Sequence, residues 1–300
     1  MIAKFHPIGL KKAWGGNKLG KSFGINQENI GEIWGISAHQ KYSNTITNGE
    51  FKGMTLRELY NSKRVLFGNL SNEEFPILFK IIEAADDLSI QVHPNDEYAK
   101  KNEDSYGKSE SWYILDAVDL KSKIIMGHNA RSKSEFLEYL NDIEIFKILN
   151  ERFVSPGEYF FIPSGTIHGI CKNTKVLEIS QSSDITYRIF DYNRLNHGKN
   201  RELHIDKALD VLRFPSMNSN DDVNDLFSFE ILINKQASKR KSNIFGDYIY
   251  VVSGRGSIDS INIKDGDFIM VSSNQEYKLS GQLTYALVNI LDQVNSLDIN

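Results

Sequence analysis

Residues Asp87 to Lys100 read DLSIQVHPNDEYAK, and the run up to Pro94 decides which kind of fold to expect. Leu88, Ile90 and Val92 fall on one side of an extended chain and Ser89, Gln91 and His93 on the other, because strand side chains alternate with period two. One face is apolar; the other offers a hydroxyl, an amide and an imidazole. Pro94, without an N–H for a ladder, ends the run.

Outward from this stretch the chain keeps the same habit. EIWGIS, SWYILDA, KIIMG, EYFFIP, KVLEIS and TYRIFDY, then FEILIN, YIYVVSG, DFIMVSS and LTYALVNI, are short apolar or alternating runs punctuated by Gly, Asn, Asp and Ser. Many short strands at such spacing predict a mainly β protein, a sandwich or barrel. Helical spacing appears in two places, about 52–80 (TLRELYNSKRVLF) and about 132–150 (SKSEFLEYLNDIEIFKILN), the second capped by Ser132 or Ser134. The polar stretch PSMNSNDDVN, Pro215 to Asn224, is the expected linker. It separates a first domain, 1–214, from a shorter second one, 225–300. One phrase recurs: PGEYFFIPSGTIHGI (Pro156 to Ile170) and KDGDFIMVSSNQEYKL (Lys264 to Leu279) share a turn, a glycine-acid pair, a strand, a small polar turn and a further strand. Two related β units follow, of which only the first has a histidine at its end.

Composition narrows the function classes. A chain of 300 residues can bury a substantial core, and its net charge of −4, with signs interspersed, offers no basic field for nucleic acid. The one cysteine, Cys171, excludes an internal disulfide and suits a reducing compartment. The opening MIAKFHPIGL is too polar for a signal peptide, and no segment approaches the roughly twenty apolar residues of a membrane span. The expected home is the cytoplasm, the expected partner a small molecule, and the expected state a monomer or homodimer.

Three segments carry metal-binding side chains: Gln91 with His93, Glu110 in GKSESWYIL, and His168 in IPSGTIHGI. Two imidazoles and a carboxylate suit a divalent ion such as zinc and leave a coordination position open. Taken singly, each has an ordinary structural role, and spacing does not bring the three together. His6, His39, His128, His197 and His204 are read as structural. Trp14, Trp34 and Trp112 are read as packing rather than a sugar-stacking platform. SGRGSID is not a phosphate loop, because no helix follows its glycines.

PGEYFFIPSGTIHGI resembles the second metal motif of the cupin superfamily. Joined to QVHP, to GKSE followed by WYI, to TYRIFDYNR and to the opening AWGG and GEIWGIS, it resembles something narrower, the type I mannose-6-phosphate isomerases in their short bacterial form. The resemblance runs in order to about Arg194. It implies two cupin-like jelly-roll barrel units with a small helical insertion, the second degenerate. It implies zinc held by His93, Glu110 and His168 with Gln91 beside them. It implies a catalytic Arg188, a catalytic and substrate-binding Lys108, and a substrate-side hydroxyl at Ser89. The reaction implied is interconversion of mannose 6-phosphate and fructose 6-phosphate through a cis-enediol. Two other readings use the same scaffold: an iron cupin oxygenase, against which the cations Arg188 and Lys108 argue, and a sugar-phosphate-binding cupin without chemistry.

Overall fold

A computed structural model of the chain describes residues 1–118, 121–140, 144–196, 198–216 and 224–291. Most of the expected linker (217–223), His197 and the last stretch of the second domain (292–300) lie outside the described residues. Strands dominate, as the alternation predicts. They form sheets of seven, six and five strands and a two-stranded hairpin. None of these sheets closes on itself through its hydrogen-bonded order. The expected barrels are therefore not closed by continuous strand pairing, and in the larger unit two sheets face each other across a shared core.

The chain divides into two compact units that do not follow chain order. A larger one comprises Gly9–Ile33 with Phe79–Val223, and a terminal one comprises Met1–Ile8, Trp34–Leu78 and Asn224–Asn300. The sequence expectation of contiguous domains at 1–214 and 225–300 differs from this for a simple reason. The first strand, Ile2–Lys4, pairs antiparallel with Phe268–Val271 in the seven-stranded sheet, and pairing over that separation leaves no local mark in the sequence.

In the larger unit the five-stranded sheet places Ile90–Val92 between Tyr187–Phe190 and His168–Ile170. Its two faces have different jobs. Ile90, Val92, Ile125 and Ile167 pack outward on Phe136, Ile145, Ala208 and Leu209 of the helical segments. From the opposite face Ile124 and Ile170 meet Trp112, Ile114, Ile162 and Val176 of the six-stranded sheet. Burial of such side chains stabilises by about 1.5–3 kcal/mol each. Gln91 and His93 share that inward face.

The helices are shorter than the sequence expectation. Within 52–80 only Leu56–Ser62 is α-helical, opened by a capping box in which Thr55 and Glu58 exchange hydrogen bonds; Arg64–Phe67 is a 3-10 turn, and Ile77–Glu83 is a strand. Within 132–150 the helix is Lys133–Glu138, with Ser132 rather than Ser134 accepting from the Glu135 N–H; a 3-10 turn, Glu144–Lys147, and a strand, Leu149–Phe153, follow. A further helix, Asp96–Glu103, begins directly after QVHP, capped by the Asn95 side chain, with acids in its first turn and lysines in its last. Pro94 thus marks where the strand stops and a helix is launched.

Candidate metal centre

Three backbone devices deliver the site. Ile90–Val92 ends one residue before His93. The Glu110–Ala117 strand begins with the carboxylate itself, opposite Ile162. His168 opens its own strand and lies opposite Gln91. The corner before it needs Gly165, whose φ is +83° and whose N–H donates to the His93 carbonyl at 2.8 Å. A Cβ there would stand 2.8 Å from the Val211 carbonyl oxygen. The glycine thus ties one histidine's segment to the other's.

The three side chains converge. One ligand atom from each of His93, Glu110 and His168 lies within 4.8 Å of the others, and all three residues are buried. His93 Nε2 stands 3.4 Å from Glu110 Oε2, and His168 Nε2 3.5 Å from Glu110 Oε1. The imidazole tautomers are fixed from behind. His93 Nδ1 donates to the Ile185 carbonyl at 2.7 Å and His168 Nδ1 to the Thr166 carbonyl at 2.8 Å, since a carbonyl can only accept. Both Nε2 lone pairs are left facing the carboxylate, the arrangement that orients metal-binding histidines. Glu110 Oε1 is buried with no hydrogen-bond partner. Two aimed lone pairs and an orphaned carboxylate oxygen fit one divalent cation.

Electrostatics keeps the donors in the right protonation states. Burial, helped by the Lys108 charge, pushes His93 down to about 3. Burial also lowers His168, against the pull of Glu110. For Glu110 burial acts upward, but Lys108 and His168 outweigh it and hold the carboxyl well below its usual range. Neutral imidazoles and an ionised carboxylate are the forms a metal requires.

Lys108 belongs to the same cluster. Its ammonium contacts Glu110 Oε2, lies 3.2 Å from His93 Nε2 and pairs with Glu178 at 3.2 Å. Burial alone would lower its pKa, yet Glu110 and Glu178 carry it above the ordinary lysine value. The Gln91 amide lies 3.3 Å from His168 Nε2 and accepts from the Ser89 hydroxyl at 3.0 Å, so both join the cluster. Arg188 does not touch the triad. It lies opposite Gln91 on the neighbouring strand, half-buried, with its Nε donating to the Glu202 carbonyl at 3.0 Å. Trp14, Trp34 and Trp112 are buried, as read from the sequence, and Trp112 sets its ring edge to face against His168.

Two residues of the site escaped the sequence reading. Glu178 and Lys80, 3% and 5% exposed, pair at 3.1 Å and extend the charge chain behind Lys108. A signal was available: each is a charge with apolar residues directly on both sides, in VLEI and LFKII, where an unpaired ion would be costly.

Known proteins resemble this chain along most of its length. The profile of the family described as phosphomannose isomerase type I, catalytic domain, matches residues 2–117. The mannose-6-phosphate isomerase ManA of Bacillus subtilis is 37% identical over 300 residues, covering 92% of this chain and 95% of that protein. The crystal structure of the mannose 6-phosphate isomerase from Bacillus subtilis superposes with a TM-score of 0.90 at 33% identity, covering 96% of this chain and 99% of that one. A zinc-bound mannose 6-phosphate isomerase shares the fold at a TM-score of 0.77 and 18% identity, covering 97% of this chain and 100% of that one.

Proposed function

The chain belongs to the type I phosphomannose isomerases, and from that premise we propose which of its residues carry the interconversion of mannose 6-phosphate and fructose 6-phosphate. His93, Glu110 and His168 are the zinc ligands, with Gln91 beside them. Neither the iron oxygenase nor the non-catalytic cupin is favoured. The bound zinc supplies Lewis acidity and a net positive charge of about +1 after one carboxylate, suited to substrate oxygens that become anionic.

The chain's own groups do the rest. The hard step is removing a proton from carbon next to a carbonyl, because negative charge collects on oxygen. Lys108, held protonated by Glu110 and Glu178, serves as a fixed cation for that charge and not as the base. Ser89 and Gln91 present a hydroxyl and an amide on the inward face and orient the sugar. Arg188, only half-buried, meets the anionic substrate; its guanidinium keeps its proton under working conditions and offers donors in a planar fork. The strands from about 225 onward, with Ile2–Lys4 paired onto Phe268–Val271, make the sheet of the second, degenerate cupin-like unit.

The observation that carries this reading is the convergence of three ligand atoms with both Nδ1–H groups anchored to carbonyls. A coupled assay following fructose 6-phosphate from mannose 6-phosphate, with metal analysis, tests it. The parent should turn over and hold one zinc per chain, and His168→Ala should lose both. A His168→Ala protein with full zinc and full activity would overturn the ligand set.

A further inference from the structure

The GKSE phrase carries Lys108 outside the strand ladder. The Glu110–Ala117 strand pairs with Thr174–Gln181 only as far as Ser180 opposite Glu110, so the ladder does not place Gly107, Lys108 and Ser109. Side chains take over at that point. Gln181 donates its own N–H to the Ser109 carbonyl at 3.0 Å, and its Oε1 accepts from the Ser109 N–H at 2.8 Å. The Gln181 amide nitrogen then faces Asp96, 3.1 Å from Oδ1 and 3.2 Å from Oδ2. Asp96 Oδ1 also accepts from the Gly107 N–H at 2.7 Å. The orientation of the Gln181 amide is fixed at both ends, since a backbone N–H can only donate and a carboxylate can only accept. Asp96, Gly107, Lys108, Ser109 and Gln181 thus close one ring, through hydrogen bonds and the chain itself, with Lys108 at its apex.

Each segment that the ring ties together leads to a charged group of the cluster. Asp96 stands three residues after His93, Gln181 three after Glu178, and Gly107 three before Glu110. The Ser109 hydroxyl accepts from the Ser164 N–H at 3.1 Å, which adds the corner that leads into His168. Close approach of the segments is built in. Lys108 N–H donates to the Pro94 carbonyl at 2.9 Å, and a Cβ on Gly107 would stand 2.4 Å from the Asn95 carbonyl carbon and 2.5 Å from the Asp96 nitrogen. The Lys108 ammonium itself is buried among Glu110, Glu178 and His93, whereas Asp96 is exposed and Gln181 partly so. Changes at these two positions therefore open no cavity in the core.

We infer that Asp96 and Gln181 are positioning residues for Lys108. Neither touches the ammonium or the ligand atoms; together they hold the stretch of backbone from which the ammonium reaches into the centre. Without them Gly107 loses its tie and Ser109 keeps only the backbone bond from Gln181 and the bond from Ser164. The inference rests on the proposed role of Lys108 as the cation that meets charge developing on the substrate.

Steady-state kinetics of the zinc-loaded, full-length protein with mannose 6-phosphate test it. Asp96→Ala and Gln181→Ala should each lower kcat and kcat/KM together by about 10- to 100-fold, with KM within about twofold of the parent, because the group displaced acts in the transition state. Both should keep their zinc. Asp96→Asn retains an oxygen for the Gly107 N–H and should recover most of the turnover that alanine loses. In a Lys108→Met background, adding Asp96→Ala should cost less than about a further twofold, whereas a residue with only a structural role would slow that variant as it slows the parent. A kcat within about twofold of the parent in both alanine variants would overturn the inference. So would loss of zinc in step with turnover, an Asp96→Asn protein no faster than Asp96→Ala, or the full extra loss in the Lys108→Met background. Should Lys108→Met be too slow to measure, the alanine and asparagine variants at position 96 decide by themselves. Full turnover in Lys108→Met would strike the proposed role of Lys108 and the inference with it; parent-like alanine variants beside an inactive Lys108→Met would strike the inference alone.

Discussion

Glu178→Gln probes the charge chain behind the proposed metal ligands. Glu178 is 3% exposed and pairs with Lys80 at 3.1 Å and with Lys108 at 3.2 Å. Lys108 in turn pairs with Glu110, so two ammonium groups face two carboxylates and the chain is balanced. Glutamine keeps the shape and removes one negative charge. At such separations, with an effective dielectric constant of about 20, each lost contact amounts to about 5 kcal/mol of gross attraction. Removing one partner of a buried pair costs about 3–5 kcal/mol net, against a total stability of about 5–15 kcal/mol. The melting temperature should therefore fall by on the order of 10 °C. Adding Lys80→Met removes the one cation left in excess, so the double variant should regain part of the loss, with a coupling of about 1–3 kcal/mol. Thermal unfolding followed by circular dichroism, in chelator so that metal binding does not contribute, reads both. A Glu178→Gln protein melting within about 1 °C of the parent, or single losses that simply add in the double variant, would refute the reasoning.

Other consequences can be checked separately. Arg188→Ala should keep its zinc and lose most of its turnover, because the arginine stands beside Gln91 and touches none of the ligands; undiminished kcat would remove it from the site. Gly165→Ala should destabilise by about 1–3 kcal/mol in urea unfolding, since alanine is strained at φ +83° and its Cβ would crowd the Val211 carbonyl at 2.8 Å; an unshifted midpoint would contradict that. His93 resists protonation down to about 3, whereas its ordinary value is 6.5. As pH falls below 6.5 the unfolded chain takes up a proton that the folded chain refuses. Metal-free stability should thus drop toward lower pH by up to about 1.4 kcal/mol per unit from this residue. Urea midpoints at pH 7 and 5 measure it, and His93→Gln should flatten the slope; an identical slope in the variant would show that His93 is not responsible.

Much of this was legible in the chain. The alternation in DLSIQVHP gave the inward face of a strand, and that face does carry Gln91 and His93 into the cluster. Convergence was not legible, because it depends on His168 pairing with Gln91 across 77 residues of chain. The first residues of the ILFKIIE strand, 77–80, fell within the helical expectation of about 52–80 for a physical reason. The strand is buried on both faces, so it lacks the polar alternation that marks a half-exposed strand. The discontinuous units were hidden likewise, since Ile2 finds its partner at Val271. Glu178 and Lys80 were overlooked because each looks like an isolated charge until the strands lie side by side.

The central claim is that one ion is gripped by His93, Glu110 and His168. Anomalous scattering at the zinc edge, on crystals of protein purified without added metal, tests it most directly. One peak is predicted, about 2.0–2.2 Å from Nε2 of both histidines and from a Glu110 carboxylate oxygen. A peak at any other set of side chains, with none between these three, would contradict the account.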